Sequence, residues 1–197
     1  MRIGILGGSF DPVHLGHLIA AERAREELRL DEVWLMPAFV PPHKRQAGDA
    51  APAADRLAML ERAIAPYAGI RVTDIEIKRG GISYTADTMK TLTELYPEHQ
   101  FSFIIGADMV QILPAWQRIN ELIRYVRFAA LDRPGFPAVS QIALPKDLAS
   151  QIDWVEMPAI DLSSTYVRSL CKKGRSVRFL VPDSVYDYIK ERRLYEA

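Results

Sequence analysis

The chain has 197 residues, of which 49% are hydrophobic and 25% charged, and its 25 basic side chains cancel its 25 acidic ones. That is the composition of a folded chain long enough to bury a core as one domain over residues 1–197. The zero balance excludes broad binding to a nucleic acid, which needs a basic surplus, and no apolar run is long enough to cross a bilayer, so neither nucleic acid nor membrane is an expected partner.

Ile3–Leu6 reads as a buried strand and residues 14–28 as a helix, with Leu15, Leu18, Ile19 and Leu28 on one stripe. Val33–Met36 is a second strand. Pro37, Pro41, Pro42, Gly48 and Pro52 mark a long loop of a kind that is frequently functional. Asp55 is placed to cap a helix carrying Leu57, Leu60 and Ile64. The alternation over Ile70–Ile77 predicts a strand, and Ser83 or Thr85 opens a helix that stops at Tyr96-Pro97. Phe101–Ile105 is an apolar strand ended by Gly106, followed by short helices over Met109–Leu113 and Arg118–Ile123. Phe128–Leu131 is a strand, residues 134–145 are proline-rich and irregular, and Ile152–Met157 is the last strand. Helices over Ser163–Lys172 and Asp183–Arg193 complete the chain. Strands alternating with helices predict βαβ units and a parallel sheet whose ligand lies at the carboxyl ends of the strands. Three chemically loaded segments follow strands: residues 7–17, 37–44 and 106–108.

The first segment is Gly7-Gly8-Ser9-Phe10-Asp11-Pro12-Val13-His14-Leu15-Gly16-His17. Its glycines permit a sharp turn or a close approach by a ligand, and the helix that follows offers free N–H groups to phosphate. His14 and His17 share one face of the first turn, with Gly16 leaving space beside them. Two histidines at this spacing also suit a solvated surface or a metal. However, H-E-x-x-H is absent, as are the P-loop and G-x-G-x-x-G patterns. The neighbouring glycines favour phosphate contact.

The second segment is Leu162-Ser163-Ser164-Thr165-Tyr166-Val167-Arg168. Ser163 is a candidate N-cap, Ser164 and Thr165 set hydroxyls at the helix start, and Arg168 lies one turn on. Alone, this segment is an ordinary capped helix. Paired with the histidine segment, it suggests two helix ends facing one polyphosphate. Cys171, the single cysteine, falls on the apolar face with Val167 and Leu170 and reads as structural. One cysteine forms no intrachain disulfide, which fits a reducing cytoplasm. Trp34 and Trp154 sit inside strands and read as packing, and His99 reads as a solvated residue in a polar turn.

Gly8-Ser9-Phe10-Asp11-Pro12-Val13-His14-Leu15-Gly16-His17, taken with Ser163-Ser164-Thr165-Tyr166-Val167-Arg168, resembles the nucleotidyltransferase superfamily marked by (H/T)-x-G-H. Pro41-Pro42-His43-Lys44, Ser83-Tyr84-Thr85-Ala86-Asp87-Thr88, Gly106-Ala107-Asp108 and Trp116 extend the likeness over nearly the whole chain, to the bacterial nicotinate-nucleotide adenylyltransferases. Leu162 and Val167 stand where that family commonly has isoleucine.

The resemblance implies a Rossmann-like α/β fold, a parallel sheet with helices on both faces. It also implies adenylyl transfer from ATP to nicotinic acid mononucleotide, with Mg²⁺ as companion ion and no assigned metal ligand. Residue by residue, it implies catalytic roles for His14, His17 and Arg168. It implies ATP binding by Gly8, Ser9, Phe10, His17, Gly106, Asp108, Ser163, Ser164, Thr165 and Arg168. Lys44, Tyr84, Thr85, Asp108, Trp116 and Arg133 are the implied mononucleotide contacts. Asp108 also reads as the cap of the Met109–Leu113 helix, and Trp116 as a packing residue. Rival readings are a pantetheine-phosphate adenylyltransferase, a cytidylyltransferase, or a non-catalytic nucleotide sensor. A homo-oligomer stays open.

Overall fold

The computed structural model describes residues 1–40, 50–132 and 144–196. Strand β1 (Arg2–Gly8) leads into helix α1 (Leu15–Glu27), then β2 (Glu32–Pro37), α2 (Ala53–Ile64), β3 (Ile70–Val72), α3 (Ile75–Arg79) and α4 (Thr85–Leu95). Next come β4 (Gln100–Gly106), α5 (Ala107–Val110), a 3₁₀ turn (Leu113–Ala115), α6 (Ile119–Leu122) and β5 (Val126–Asp132). Then follow α7 (Lys146–Ala149), β6 (Ile152–Glu156), α8 (Ser164–Lys172) and α9 (Asp183–Glu191). The strands form one sheet in the order β3-β2-β1-β4-β5-β6, each pair parallel. Among the described residues, no helix is long and apolar enough to cross a membrane.

Strand alternation sends successive side chains to opposite faces, so two cores form, one on each side of the sheet. Leu6, Leu35, Ile104, Leu131 and Val155 pack against α1, α2, α8 and α9. Ile5, Met36, Phe103, Phe128 and Ala130 pack on the other face against Met89 and Leu92 of α4 and Leu122 of α6. Both faces are covered, and the strands accordingly read as near-continuous apolar runs. Trp34 and Trp154 belong to the second core, and Cys171 packs on the first, where burial pushes its thiol pKa up.

Four local expectations are corrected. The strand expected over Ile70–Ile77 ends at Val72, and Ile75–Arg79 is helical instead. β3 has only β2 as a neighbour, and beyond Val72 a helix gives better burial: Ile75 packs on the second core, and Lys78 pairs with Asp74 at 3.1 Å. Gly80, at φ 69°, ends the turn in a conformation that glycine adopts without strain. Asp55 does not cap α2. Pro52 occupies that position, and Asp55 accepts the Tyr188 hydroxyl at 2.8 Å, tying α2 to α9. Asp108 is likewise not a cap, since Gly106 precedes α5 and Asp108 lies in its first turn. His99 is not simply solvated: it stacks on Tyr96 with ring centroids 5.4 Å apart, beside Trp34 and Phe101.

α3 is locked to α4 by one polar contact. Thr88, fully buried, donates to Glu76 Oε1 at 2.6 Å, and Glu76 is itself only 3% exposed. Replacing the hydroxyl by a methyl of the same shape leaves a buried carboxylate without that donor, a loss of roughly 1–3 kcal/mol. Thr88→Val is therefore expected to lower the unfolding free energy in urea by that amount, whereas Thr88→Ser, which keeps the hydroxyl, loses less.

Candidate active site

The sheet order reverses at β1. The chain steps outward through β2 to β3, returns, and leaves on the other side through β4. The carboxyl ends of β1 and β4 are therefore adjacent and flanked by connections running in opposite directions, the place where open parallel sheets bind ligands. A cavity of about 930 Å³ lies there. This is the upper end of the range for ligand sites.

Four of the sequence segments meet on its walls: Gly8, Ser9, His14 and His17 from the first, Ser163, Ser164 and Thr165 from the second, and Gly106 with Asp108 and Tyr84 with Thr85 from the other two. Trp116 also lines it. Phe10 and Arg168 do not, and Lys44 and Arg133 fall outside the described residues. Sequence reasoning missed Met36, Met157 and Ile160, which make the walls partly apolar, and Glu76, whose alternating pattern disguised it as a strand residue.

His14 precedes α1 in an extended conformation, and its N–H donates to Nδ1 of His17 at 3.2 Å. The two imidazoles stack with centroids 3.7 Å apart. Gly16 leaves room for His14, since an added Cβ would lie 3.1 Å from that ring and press on it. Behind His17, the ring of Phe10 packs edge-on at 4.9 Å. Phe10 has φ 48° and is 1% exposed. A left-handed conformation costs a bulky residue about 1–2 kcal/mol, and the surroundings over-determine it. Arg56 of α2 grips the Ser9 carbonyl at 2.7 Å and the Phe39 carbonyl at 3.3 Å.

The two principal segments are joined directly. Ser163 caps α8 by accepting from the Tyr166 N–H at 3.2 Å, and Ser164 Oγ donates to the Pro12 carbonyl at 2.8 Å. Arg168 Nη1 donates to the Asp11 carbonyl at 2.7 Å and lies 3.6 Å from Asp11 Oδ2. Asp11 Oδ1 accepts from the Ala51 N–H at 3.0 Å and from the Tyr195 hydroxyl at 2.7 Å. Burial, and then the Asp11 charge, push the Tyr195 phenol far above its ordinary range, so it remains a donor. Burial also lowers the Arg56 pKa, against the opposing pull of Asp11.

At the start of α4, the Ser83 N–H donates to Val40 O at 2.9 Å and the Tyr84 N–H to Ile82 O at 3.2 Å. The open N–H groups at this helix start therefore begin only at Thr85, where the helix has no internal acceptor for them. Ser83 Oγ is taken by the Phe39 N–H at 3.0 Å. Gly106 lies close under the Asp108 carboxylate, so an added Cβ would push that side chain aside. Trp116 packs edge-on to Phe103 and Phe128, at 6.0 and 6.3 Å.

Residues 5–170 match the model of the cytidylyltransferase-like family. A protein of Oceanobacillus iheyensis named "Probable nicotinate-nucleotide adenylyltransferase" is 46% identical over 195 residues, 98% of this chain and 96% of that protein. One of the same name from Streptococcus pyogenes serotype M1 is 45% identical over 99% of this chain and 89% of its own length. In fold, the nicotinic acid mononucleotide adenylyltransferase of Plasmodium falciparum complexed with NaAD is similar, with a TM-score of 0.76 at 20% identity over 98% of this chain and 97% of that one. The chain belongs to the cytidylyltransferase-like family and, within it, to the nicotinate-nucleotide adenylyltransferases.

Proposed function

We infer that this chain transfers the adenylyl group of ATP to nicotinic acid mononucleotide, releasing pyrophosphate and forming nicotinic acid adenine dinucleotide. The observation that carries this reading is the convergence of three helix N-termini, those of α1, α8 and α4, with both histidines on one cavity at the β1/β4 crevice. Relatives of the same name over nearly the whole chain support the acceptor.

The chemistry suits these residues. The attacking group is a phosphate oxygen of the mononucleotide, already anionic, so no general base is needed. A bond forms from that oxygen to the α-phosphorus of ATP while the bond to the bridging oxygen of pyrophosphate breaks. The obstacle is charge, and catalysis then rests on positioning and on donors aimed at the charge that develops. We assign His14 and His17, with the N–H groups of Gly16, Ser164 and Thr165, to the phosphates; the Leu15 and His17 N–H groups are taken by the Leu180 and His14 carbonyls. Gly8, Ser9, Ser163, Ser164 and Thr165 form the ATP side, backed by Phe10, with Arg168 supplying a guanidinium from behind Thr165. Gly106 and Asp108 take ribose hydroxyls. Among the described residues, no three His, Cys, Asp or Glu side chains gather to hold a metal. A divalent cation is proposed to enter on the phosphates of ATP as part of that substrate.

For the acceptor, we assign Trp116 to the pyridine ring and Tyr84 and Thr85 to its carboxylate. A carboxylate at the N-terminus of α4 gains charge-assisted bonds from the N–H groups that begin at Thr85 and from the Thr85 hydroxyl. The corresponding amide turns its own donors toward them, at a cost of roughly 1–3 kcal/mol per unpaired group. Lys44 and Arg133 remain proposed contacts from the sequence resemblance alone.

Three outcomes are expected. Pyrophosphate release from ATP and Mg²⁺ should require nicotinic acid mononucleotide; release only with phosphopantetheine, or ATP binding with no release at all, would overturn the assignment. His17→Ala should lower kcat about a hundredfold or more while ATP affinity changes little, as for loss of a donor that acts in the transition state; near-normal turnover would remove His17 from that role. Acid should be strongly preferred over amide in kcat/KM. Thr85→Ala should narrow that gap, and Trp116→Ala should weaken both substrates alike.

A further inference from the structure

We propose that Tyr195 is a positioning residue for ATP: its hydroxyl fixes Asp11, and Asp11 fixes the guanidinium of Arg168 beside the phosphate wall of the cavity. The inference rests on the function proposed above and extends it to a residue outside both signature segments.

The geometry runs in one line. Tyr195, 9% exposed, donates at 2.7 Å to Oδ1 of Asp11, which is 6% exposed. The Ala51 N–H donates to the same oxygen at 3.0 Å. Two donors on one carboxylate oxygen set the torsion of the Asp11 side chain and hold the loop between β1 and α1 in place. That loop presents two acceptors to Arg168, the Asp11 carbonyl at 2.7 Å and Oδ2 at 3.6 Å, both to Nη1. The other end of the fork, Nη2, sits 3.4 Å from Oγ1 of Thr165, and Thr165 lines the cavity. Arg168 is thus pinned at the end away from the cavity, with its other end beside a cavity wall.

An unpinned arginine gives up its rotamer freedom each time it meets a phosphate, whereas one held in advance has already lost it. Tyr195 stands in the left-handed region at φ 62°, a conformation that a tyrosine holds only where contacts compel it. The bond to Asp11 is such a contact. Residues after α9 are thereby joined to the first motif, 184 positions earlier.

The test is Tyr195→Phe in the full chain, read by calorimetric ATP binding without acceptor and by steady-state kinetics. ATP affinity is expected to fall about three- to tenfold, the range for loss of one hydrogen bond. The KM for the mononucleotide should stay within about twofold. Asp11→Asn, which keeps the main-chain acceptor and removes the charge, should show the same selectivity, and it carries the test if the Tyr195 variant does not fold. In an Arg168→Ala background, Tyr195→Phe should cause no further loss of ATP affinity, because the residue it positions is gone. Unchanged ATP affinity in Tyr195→Phe, equal weakening of both substrates, or multiplying losses in the double variant would each reduce Tyr195 to a structural anchor. If the unmodified chain releases no pyrophosphate with any acceptor, the functional reading fails instead, and calorimetry still reports whether Tyr195 governs ATP.

Discussion

The site depends on one topological constraint, the reversal of strand order between β1 and β4. In a parallel sheet, each strand must be followed by a crossover that covers one face. Where successive crossovers go to opposite sides, nothing covers the carboxyl ends between them. Glycine keeps this gap open at close quarters. A Cβ on Gly7 would press on Phe103 at 3.0 Å, and one on Gly8 on the ring of Phe10 at 3.3 Å. Residues of both cores reach this crevice, Leu6 and Ile104 from one and Met36 and Phe103 from the other.

The cavity walls offer backbone donors rather than basic side chains. Among the described residues that line the cavity, there is no lysine or arginine; the ionisable side chains are His14, His17, Glu76, Tyr84 and Asp108. At α1 the Leu15 and His17 N–H groups are taken by the Leu180 and His14 carbonyls, both at 3.0 Å, so the open N–H groups are chiefly those that start α4 and α8, and these do not reorganise when a ligand arrives. The arginines that do serve the region, Arg56 and Arg168, stand behind its walls and act on main-chain carbonyls of the first loop. Their burial is compensated by Asp11 and by those carbonyls, as a buried charge requires.

Part of this is legible from residues in order. Apolar runs separated by amphipathic stretches locate the six strands, and glycines and histidines next to a helix start mark the phosphate face. The misreadings are informative. Over residues 70–77, alternation and helical periodicity cannot be told apart in so short a segment, and the helix goes with tertiary contacts that the local pattern does not show, Ile75 on the second core and Glu76 on Thr88. At residues 83–85, local sequence shows a helix start but not that Val40 and Ile82 would occupy two of its N–H groups.

By itself, the sequence determined the fold class, the six strands in chain order, the family, and which short segments carry phosphate chemistry, because apolar periodicity and motif spacing are local properties; it did not show the short helices Ile75–Arg79 and Lys146–Ala149. Only the tertiary structure decided that those segments share one cavity, that Gly16 makes room for His14, and that Phe10 and Arg168 stand behind the wall. It alone joined Asp11 to Ala51, Arg168 and Tyr195. Those bonds span 40 to 184 positions. At such separations no local pattern encodes a contact, and the sheet order, which brings distant loops to the same edge, does.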